Sequence, residues 1–202
     1  MDERDGGVKK TNSLERIRQA VDKLSKEVGF ERMTVRGICK EAEVSNGVFY
    51  HYFKSKNSLL FDRYIRTREY FGKLYEEKLQ YMPPIEALQL YVQESAAYTK
   101  SRVREVLVSY LQVQLTDFEV WKNTYTGRAD SWDGGDMVYT LFKKAREEGT
   151  IETAYTLQQL SSILQCMLMG IHYSYAATNG KALEDDTLVQ HINSWLEGLK
   201  KS

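Results

Sequence analysis

The chain is poor in the residues from which most catalytic and metal sites are built. Its 202 residues include only two cysteines, three histidines and two prolines. The histidines and cysteines form no HxxxH or CxxC pair, and the sequence contains no GxSxG motif and no glycine-rich phosphate loop. These absences argue against a zinc enzyme, a serine hydrolase and a nucleotide-binding enzyme. We therefore expect no catalytic residues, no metal and no cofactor.

The sequence also lacks the apolar segments of exported and membrane proteins. Residues 1–11 are polar and charged, without the apolar core of a signal peptide. The most apolar stretch, Ile163 to Ile171, is about half as long as a membrane span and is interrupted by Gln165. Cys39 and Cys166 each lie in an apolar helical pattern, so we expect them to pack as small hydrophobic residues and not to form a disulfide. These features predict a protein of the reducing cytoplasm with no membrane partner.

A net charge of zero conceals an asymmetry along the chain. Residues 1–66 contain 14 Lys and Arg against 10 Asp and Glu, whereas the remainder contains 14 against 18. Excess positive charge favours a polyanionic partner such as nucleic acid, but an excess of this size does not establish one. The assignment must come from individual residues.

Apolar residues recur every three or four positions along most of the chain, which predicts amphipathic helices. A stripe from Leu14 to Val28 predicts the first helix, with Asn12 or Ser13 as its cap. Thr34 and Ser45 each precede a short apolar face, so we expect them to cap a second and a third helix. These three helices would enclose one small core.

A fourth, longer helix is expected to begin at Ser55 and to end before Pro83, and it would join the two halves of the chain. Between Asn123 and Gly135 the sequence lacks periodicity and is rich in Gly, Asp, Ser and Thr, which is typical of a mobile loop. The expected fold is all-α with about nine helices, in which an N-terminal helix-turn-helix domain is joined by the long helix to a ligand-binding and dimerisation domain. Further helices are expected at 85–100, 102–121, 136–148, 156–177 and 185–200, and the domains at 1–12 (a flexible tail), 13–60 and 61–202.

The second and third helices, with the turn between them, have the layout of a helix-turn-helix. Because Tyr52 and Phe53 are needed in the core, the opposite side of the third helix faces outward. An asparagine can pair with adenine through two hydrogen bonds, a glycine permits close approach of the backbone, and a tyrosine hydroxyl can reach a phosphate. The outward side carries Asn46, Gly47, Tyr50 and His51.

The starts of the second, third and fourth helices add amide groups and positive dipole ends that suit phosphates. Lys56 lies near the fourth start, where a lysine opposes the helix dipole, and this placement favours a phosphate contact. Plainer alternatives remain at three positions. They are a core aromatic at Tyr50, a solvated charge at Arg36 and a histidine that caps the helix end at His51.

A set of residues spread over these helices keeps a fixed spacing: Thr34-Val35-Arg36, Ile38, Val44-Ser45, Gly47, Tyr50, Phe53, Ser55-Lys56 and Leu59. This set resembles the DNA-binding domain of the tetracycline-repressor (TetR) family of bacterial transcription regulators. The resemblance covers residues 13 to about 66. It implies base contacts from Arg36, Ser45, Asn46, Gly47 and His51, and phosphate contacts from Thr34, Tyr50 and Lys56.

The chain departs from the family pattern at Glu43, where the turn commonly has glycine. A non-glycine residue in a left-handed conformation costs about 1 kcal/mol, and a carboxylate there would repel nearby phosphates. Val48 stands where the family commonly has Thr or Ser, which removes a hydroxyl.

The C-terminal half carries no comparable motif. Its eighth and last predicted helices are apolar on more than one side, which fits either half of a four-helix dimer interface, as in the family, or an ordinary monomer core. The candidate interface residues are Leu160, Ile163, Leu164, Met167, Leu168, Ile171, Leu188, Ile192, Trp195, Leu196 and Leu199.

The resemblance also implies a small-molecule effector bound among the middle helices. Aromatic and soft side chains there suit a pocket for a hydrophobic or aromatic ligand, and they suit a core equally well. The candidates are Tyr91, Tyr98, Tyr110, Gln114, Trp121, Tyr139, Phe142, Met169, His172 and Tyr173.

These features together predict a ligand-responsive transcriptional regulator. It would act as a repressor that binds a palindromic double-stranded DNA operator as a homodimer and is released by a small hydrophobic effector. Two other functions remain open: a helical small-molecule-binding protein or enzyme with an N-terminal docking module, and a nucleoid-associated protein that binds DNA without operator preference.

Overall fold

A computed structural model of the chain describes residues 4–102, 104, 107–109, 111–112 and 133–201. Side chains are not described for residues 4–12, 61, 63–65 and 133–136. Within these limits the protein consists of α-helices and short 3-10 turns, without a strand, and the predicted all-α class is confirmed. The helices are α1 (Arg4–Val28), α2 (Val35–Glu41), α3 (Asn46–Tyr52), α4 (Ser58–Glu77), α5 (Pro84–Lys100), α6 (Asp133–Glu147), α7 (Leu157–Ala177) and α8 (Thr187–Glu197).

Helices α1 to α3 and the start of α4 enclose one hydrophobic cluster, in which Ile17, Ile38 and Phe49 are fully buried. The two predicted caps are confirmed. The Thr34 hydroxyl accepts a hydrogen bond from the Gly37 amide at 3.0 Å, and the Ser45 hydroxyl accepts one from the Val48 amide at 3.2 Å.

Two predicted helix starts are wrong. Helix α1 begins at Arg4, so neither Asn12 nor Ser13 is its cap. No proline precedes Asn12 or Ser13 to stop the helix. Because adding residues to an existing helix is easier than starting one, α1 extends towards the N-terminus. Helix α4 begins at Ser58 and not at Ser55, although the Ser55 hydroxyl does accept a hydrogen bond from the Ser58 amide at 3.3 Å. Lys56 consequently precedes this helix.

Two other predicted segments fall wholly or partly outside the described residues. The tail was predicted at residues 1–12. Residues 1–3 lie outside the described residues, while residues 4–12 lie in α1. The flexibility of residues 1–12 in solution stays a prediction. The predicted loop at 123–135 lies outside them except for its last three residues, which belong to α6, so the loop is shorter at this end than predicted. Most of the predicted helix at 102–121 also lies outside them.

A second hydrophobic cluster fills the C-terminal half, where α5 packs against α6, α7 and α8. Phe142, Leu164 and Leu196 are fully buried in it. Lys144 reaches from α6 to donate to the carbonyl oxygens of Gln80 at 3.0 Å and Met82 at 3.2 Å, which holds the turn after α4. None of the described helices is both long and apolar enough to cross a membrane.

Helix α4 contributes to both clusters and is tied to α1 by charge. The Asp62 carboxylate, which is buried, accepts hydrogen bonds from Nε and Nη2 of Arg18, the shortest at 2.6 Å. Arg66, one turn further along α4, lies 3.2 Å from Asp62 and 3.8 Å from Asp22 of α1. A displacement of α4 therefore acts directly on α1.

Candidate nucleic-acid interface and effector region

Helix α3 is held by its inner face and leaves its outer face open. Phe49 is 0% exposed and Phe53 is 4% exposed, and their rings pack at a centroid distance of 5.4 Å. Tyr52 is partly buried against the same cluster. The large side chains of the inner face therefore fix the helix, and the outer residues are not needed in the core of the described structure.

The four residues predicted on the outer face, Asn46, Gly47, Tyr50 and His51, are all exposed. Tyr50 is 55% exposed, with its ring edge-on to Phe49 at 5.5 Å. A core role for Tyr50 is therefore excluded within this chain.

No steric contact within the described structure requires a glycine at position 47. A Cβ at Gly47 would lie 3.7 Å from the Ser45 hydroxyl oxygen, an ordinary van der Waals contact. Glycine in a helix costs about 0.5–1 kcal/mol relative to alanine. A residue that lowers stability without relieving a clash points to a partner outside the chain that approaches the backbone closely.

The predicted DNA contacts outside the outer face of α3 are Thr34 and Lys56, expected at phosphates, and Arg36 and Ser45, expected at bases. Thr34 and Ser45 are exposed, and each hydroxyl already accepts the capping hydrogen bond, which leaves its own proton free to donate. Arg36 is exposed on α2.

Lys56 has an internal role that its sequence position did not reveal. Its ammonium donates to the carbonyl oxygens of Phe30 at 3.1 Å and Glu31 at 3.0 Å, and it lies 4.9 Å from the centre of the Phe30 ring. Lys56 thus closes the turn between α1 and α2. An ammonium has three donors, so one hydrogen remains for a phosphate.

Glu43 adopts the left-handed conformation expected from its position in the turn, with φ of 49°. Arg16 of α1 holds it through two hydrogen bonds from Nη2, to the Glu43 carbonyl oxygen at 2.9 Å and to its carboxylate at 2.8 Å. Sequence reasoning missed Arg16, because nothing in the local pattern links residues 27 positions apart. The pair also neutralises the carboxylate that would otherwise face phosphates.

The candidate effector residues are dispersed. Tyr110, Gln114 and Trp121 lie outside the described residues. Phe142 is fully buried in the core, whereas Tyr139 and Tyr173 are exposed. Met169 and His172 are partly buried on α7.

Tyr91 and Tyr98 belong to one aromatic cluster on α4 and α5. Phe71 packs against both, with ring centroids 5.0 Å from Tyr91 and 5.5 Å from Tyr98, and Tyr70 lies 4.8 Å from Tyr98. Burial raises the pKa of Tyr91 to about 12, so its hydroxyl is neutral at physiological pH.

The candidate interface residues divide into two groups. Seven of the eleven are buried in the core of the single chain: Leu160, Leu164, Leu168, Ile171, Ile192, Leu196 and Leu199. The other four, Ile163, Met167, Leu188 and Trp195, are only partly buried. The surface available to a second subunit is therefore narrower than the apolar pattern suggested.

One exposed line on α7 passes through Ser162, Cys166, Gly170 and Tyr173. The prediction that Cys166 packs as a buried hydrophobic residue is wrong for the single chain, since its thiol is exposed, whereas Cys39 is buried as expected. Both cysteines are free thiols.

Comparison with known proteins places the N-terminal unit. Residues 17–62 match the family model described as bacterial regulatory proteins, tetR family. None of the curated protein sequences matches the chain.

Solved structures match nearly the whole chain at low sequence identity. GusR of Salmonella enterica is 21% identical, with a TM-score of 0.67 over 94% of this chain and 96% of that one. NemR of E. coli, in its reduced form, is 18% identical, with a TM-score of 0.68 over 94% and 98%. FadR of Thermus thermophilus, a TetR-family transcriptional repressor in complex with lauroyl-CoA, is 23% identical, with a TM-score of 0.62 over 90% and 91%.

The resemblance inferred from the motif thus has two independent supports, a family model over the helix-turn-helix and a shared fold over the remainder. Residues 17–62 thus match the tetR family of bacterial regulatory proteins, and the chain as a whole shares the fold of these solved structures.

Proposed function

We propose that the protein is a ligand-responsive transcriptional regulator, a repressor, which binds a palindromic DNA operator as a homodimer in the bacterial cytoplasm. The observation that carries this proposal is the outer face of α3. Asn46, Gly47, Tyr50 and His51 are exposed together there, and the buried rings of Phe49 and Phe53 fix the helix behind them.

The exposed groups suit two kinds of contact with DNA. Asn46 lies in the first turn of α3 and can reach base edges in the major groove, while Gly47 lets the helix approach them. The Tyr50 hydroxyl and the remaining Lys56 hydrogen suit phosphate oxygens, which position the helix without reading sequence. Arg36, Ser45 and His51 would add base contacts, and Thr34 a phosphate contact.

We place the subunit interface on the open sides of α7 and α8. Ile163, Met167, Leu188 and Trp195 keep exposed surface there, beside the small residues of the exposed line on α7. Small residues allow two helices to approach closely, and a two-fold axis would pair each helix with its own copy.

The domain division that we propose follows the two hydrophobic clusters, with the helix-turn-helix up to residue 60 and the effector-binding and dimerisation domain beyond it. A hydrophobic effector bound in the second domain would shift α4, and the Asp62–Arg18 contact would pass the shift to α1. The protein would be released from DNA if the ligand binds better to a conformation in which the two α3 helices of the dimer no longer match the spacing of the half-sites.

Mobility-shift titrations of wild type and variants test this assignment. Tyr50→Phe and Lys56→Ala are expected to weaken operator and random DNA alike and to lower the salt dependence of binding, because each removes a phosphate contact. Asn46→Ala is expected to lose operator preference by about 1–3 kcal/mol while keeping most affinity for random DNA.

Tyr81→Phe is the matched control, since Tyr81 is a well-exposed tyrosine outside the helix-turn-helix. Equal loss of operator preference in all three test variants would refute the assignment of roles. No DNA binding by the wild type at physiological salt would refute the regulator proposal itself.

A further inference from the structure

Arg102 is a partly buried arginine whose charge has no ionic partner among the described residues. It lies two residues beyond the end of α5, and its guanidinium carbon is 3.8 Å from the centre of the Tyr98 ring. Its Nε is buried and has no hydrogen-bond partner within the described part of the chain. The ring covers one face of the guanidinium, and the Nε–H donor on its edge is left unpaired.

Arg66 of α4, whose charge acts on Arg102, is in a similar state. Its buried Nε also lacks a hydrogen-bond partner in the described structure. It lies 3.2 Å from Asp62, but this contact has ion-pair distance without hydrogen-bond geometry, because Asp62 is aligned with Arg18. Arg18 and Arg66 thus share Asp62, with Glu15 and Asp22 each at the limit of ion-pair distance, and among the described residues Arg102 has no carboxylate within that distance.

The influences on the pKa of Arg102 agree with the lack of a nearby carboxylate among the described residues. Burial lowers the pKa of Arg102 and the Arg66 charge lowers it further, whereas Tyr98 and Asp22 act in the opposite direction. A buried donor on a charged group is costly when it is unpaired. An anion placed between the two arginines would remove that cost.

An apolar surface adjoins the two cations. The Tyr98 ring packs at a tilt against Tyr70 at 4.8 Å and against Phe71 at 5.5 Å, and the Thr67 hydroxyl donates to the Tyr98 hydroxyl at 3.1 Å. Tyr70 is partly exposed, so the cluster is open on one side. Aromatic faces of this kind bind a ligand's hydrocarbon or ring portion.

We propose that Arg102 and Arg66 bind the oxyanion head group of an organic ligand, a carboxylate or a phosphate, whose apolar body lies against Tyr70 and Tyr98. The guanidinium edge matches both head groups because each accepts two parallel hydrogen bonds. This inference rests on the proposed function, since it gives the chemical class of the effector. The site lies where α1, α4 and α5 meet. A ligand bound to Arg66 would attract this side chain and could thereby displace α4.

Ligand binding to the purified, DNA-free protein tests the proposal through three probes of similar shape. Benzoate and phenyl phosphate carry the two head groups, and benzamide is the neutral counterpart of benzoate. Calorimetric titration and thermal melts are carried out on wild type, Arg102→Gln and the control Arg68→Gln, which alters an exposed arginine two residues further along α4 than Arg66. We expect at least one anion to bind wild type and the control, with at least about tenfold weaker binding to Arg102→Gln.

The relative affinities of the two anions identify the head group, and benzamide should bind no more than weakly to any form. Arg102→Gln without ligand should melt no lower than wild type, because the change removes an unpaired charge. A lower melting temperature would indicate a structural arginine and overturn the proposal. Equal binding of benzoate and benzamide, undiminished anion binding to Arg102→Gln, or no binding of either anion would also overturn it.

Mobility shifts without ligand keep this test separate from the proposed function. Operator binding without anion binding refutes the anion site alone. Arginine-dependent anion binding by a protein that binds no DNA supports the site and refutes the regulator proposal.

Discussion

Replacing Glu43 by glycine is expected to stabilise the helix-turn-helix even though it breaks an ion pair. Glu43 has a φ of 49°, a conformation that costs a residue with a Cβ about 1 kcal/mol relative to glycine. The replacement relieves that strain. Alanine at the same position keeps the strain, so the two variants separate backbone conformation from side-chain contact.

The ion pair that both variants lose is worth less than the strain. Arg16 and Glu43 side chains are 37% and 85% exposed, and pairs so exposed contribute about 0.2–1 kcal/mol. Arg16 also donates a hydrogen bond to the backbone carbonyl oxygen of Glu43, and this bond is kept in both variants. We therefore expect Glu43→Gly to raise the free energy of unfolding by about 0.5 kcal/mol and Glu43→Ala to lower it by about the same amount.

Urea unfolding followed by circular dichroism measures both values, and the difference between the variants, about 1 kcal/mol in favour of glycine, is the decisive quantity. Arg16→Met in each background reports the ion pair separately, as a double-mutant cycle. If alanine proves as stable as glycine, the turn is not strained at this residue and the reasoning fails.

Three further predictions concern stability and assembly. Asp62→Asn removes the closer and better buried of the two Arg18 partners, leaving Glu15 at 3.7 Å, and should lower the free energy of unfolding by about 2–4 kcal/mol in urea titrations; a loss below about 0.5 kcal/mol would contradict a buried pair. Because burial raises the pKa of Tyr91 to about 12 from its ordinary value near 10, the folded state keeps a proton that the unfolded chain releases, and stability falls as the pH rises through this window. Tyr91→Phe should reduce this loss of unfolding free energy by on the order of 2 kcal/mol. Parallel profiles of unfolding free energy against pH for wild type and variant would refute the prediction. A side chain at Gly170 meets open space within one chain, so Gly170→Arg should yield a folded monomer by light scattering, whereas the equally open Gly72→Arg should stay dimeric; a dimeric Gly170→Arg would move the interface elsewhere.

The predictable features are those encoded over a few residues. The caps at Thr34 and Ser45 each close on an amide three residues later, so the sequence pattern contains both partners. The outward face of α3 follows in the same way, since the need to bury Phe49 and Phe53 determines where Tyr50 points.

Contacts between distant residues were not predictable. Arg16 meets Glu43, and Lys56 meets Phe30, across more than 20 residues of sequence. Periodicity also identified α7 as apolar without indicating which side faces the core of its own chain. Leu164 lies in that core while Cys166, two residues later, is exposed, because the neighbouring helices decide which side is covered.

Selection of DNA from a randomised pool by the ligand-free protein tests the central claim most directly. The account predicts enrichment of a palindrome whose half-sites are about one helical turn (~34 Å) apart, and selection by Asn46→Ala of a more degenerate version of the same palindrome. Retention of DNA without an enriched sequence would indicate a non-specific DNA binder, and no retention at physiological salt would contradict the account altogether.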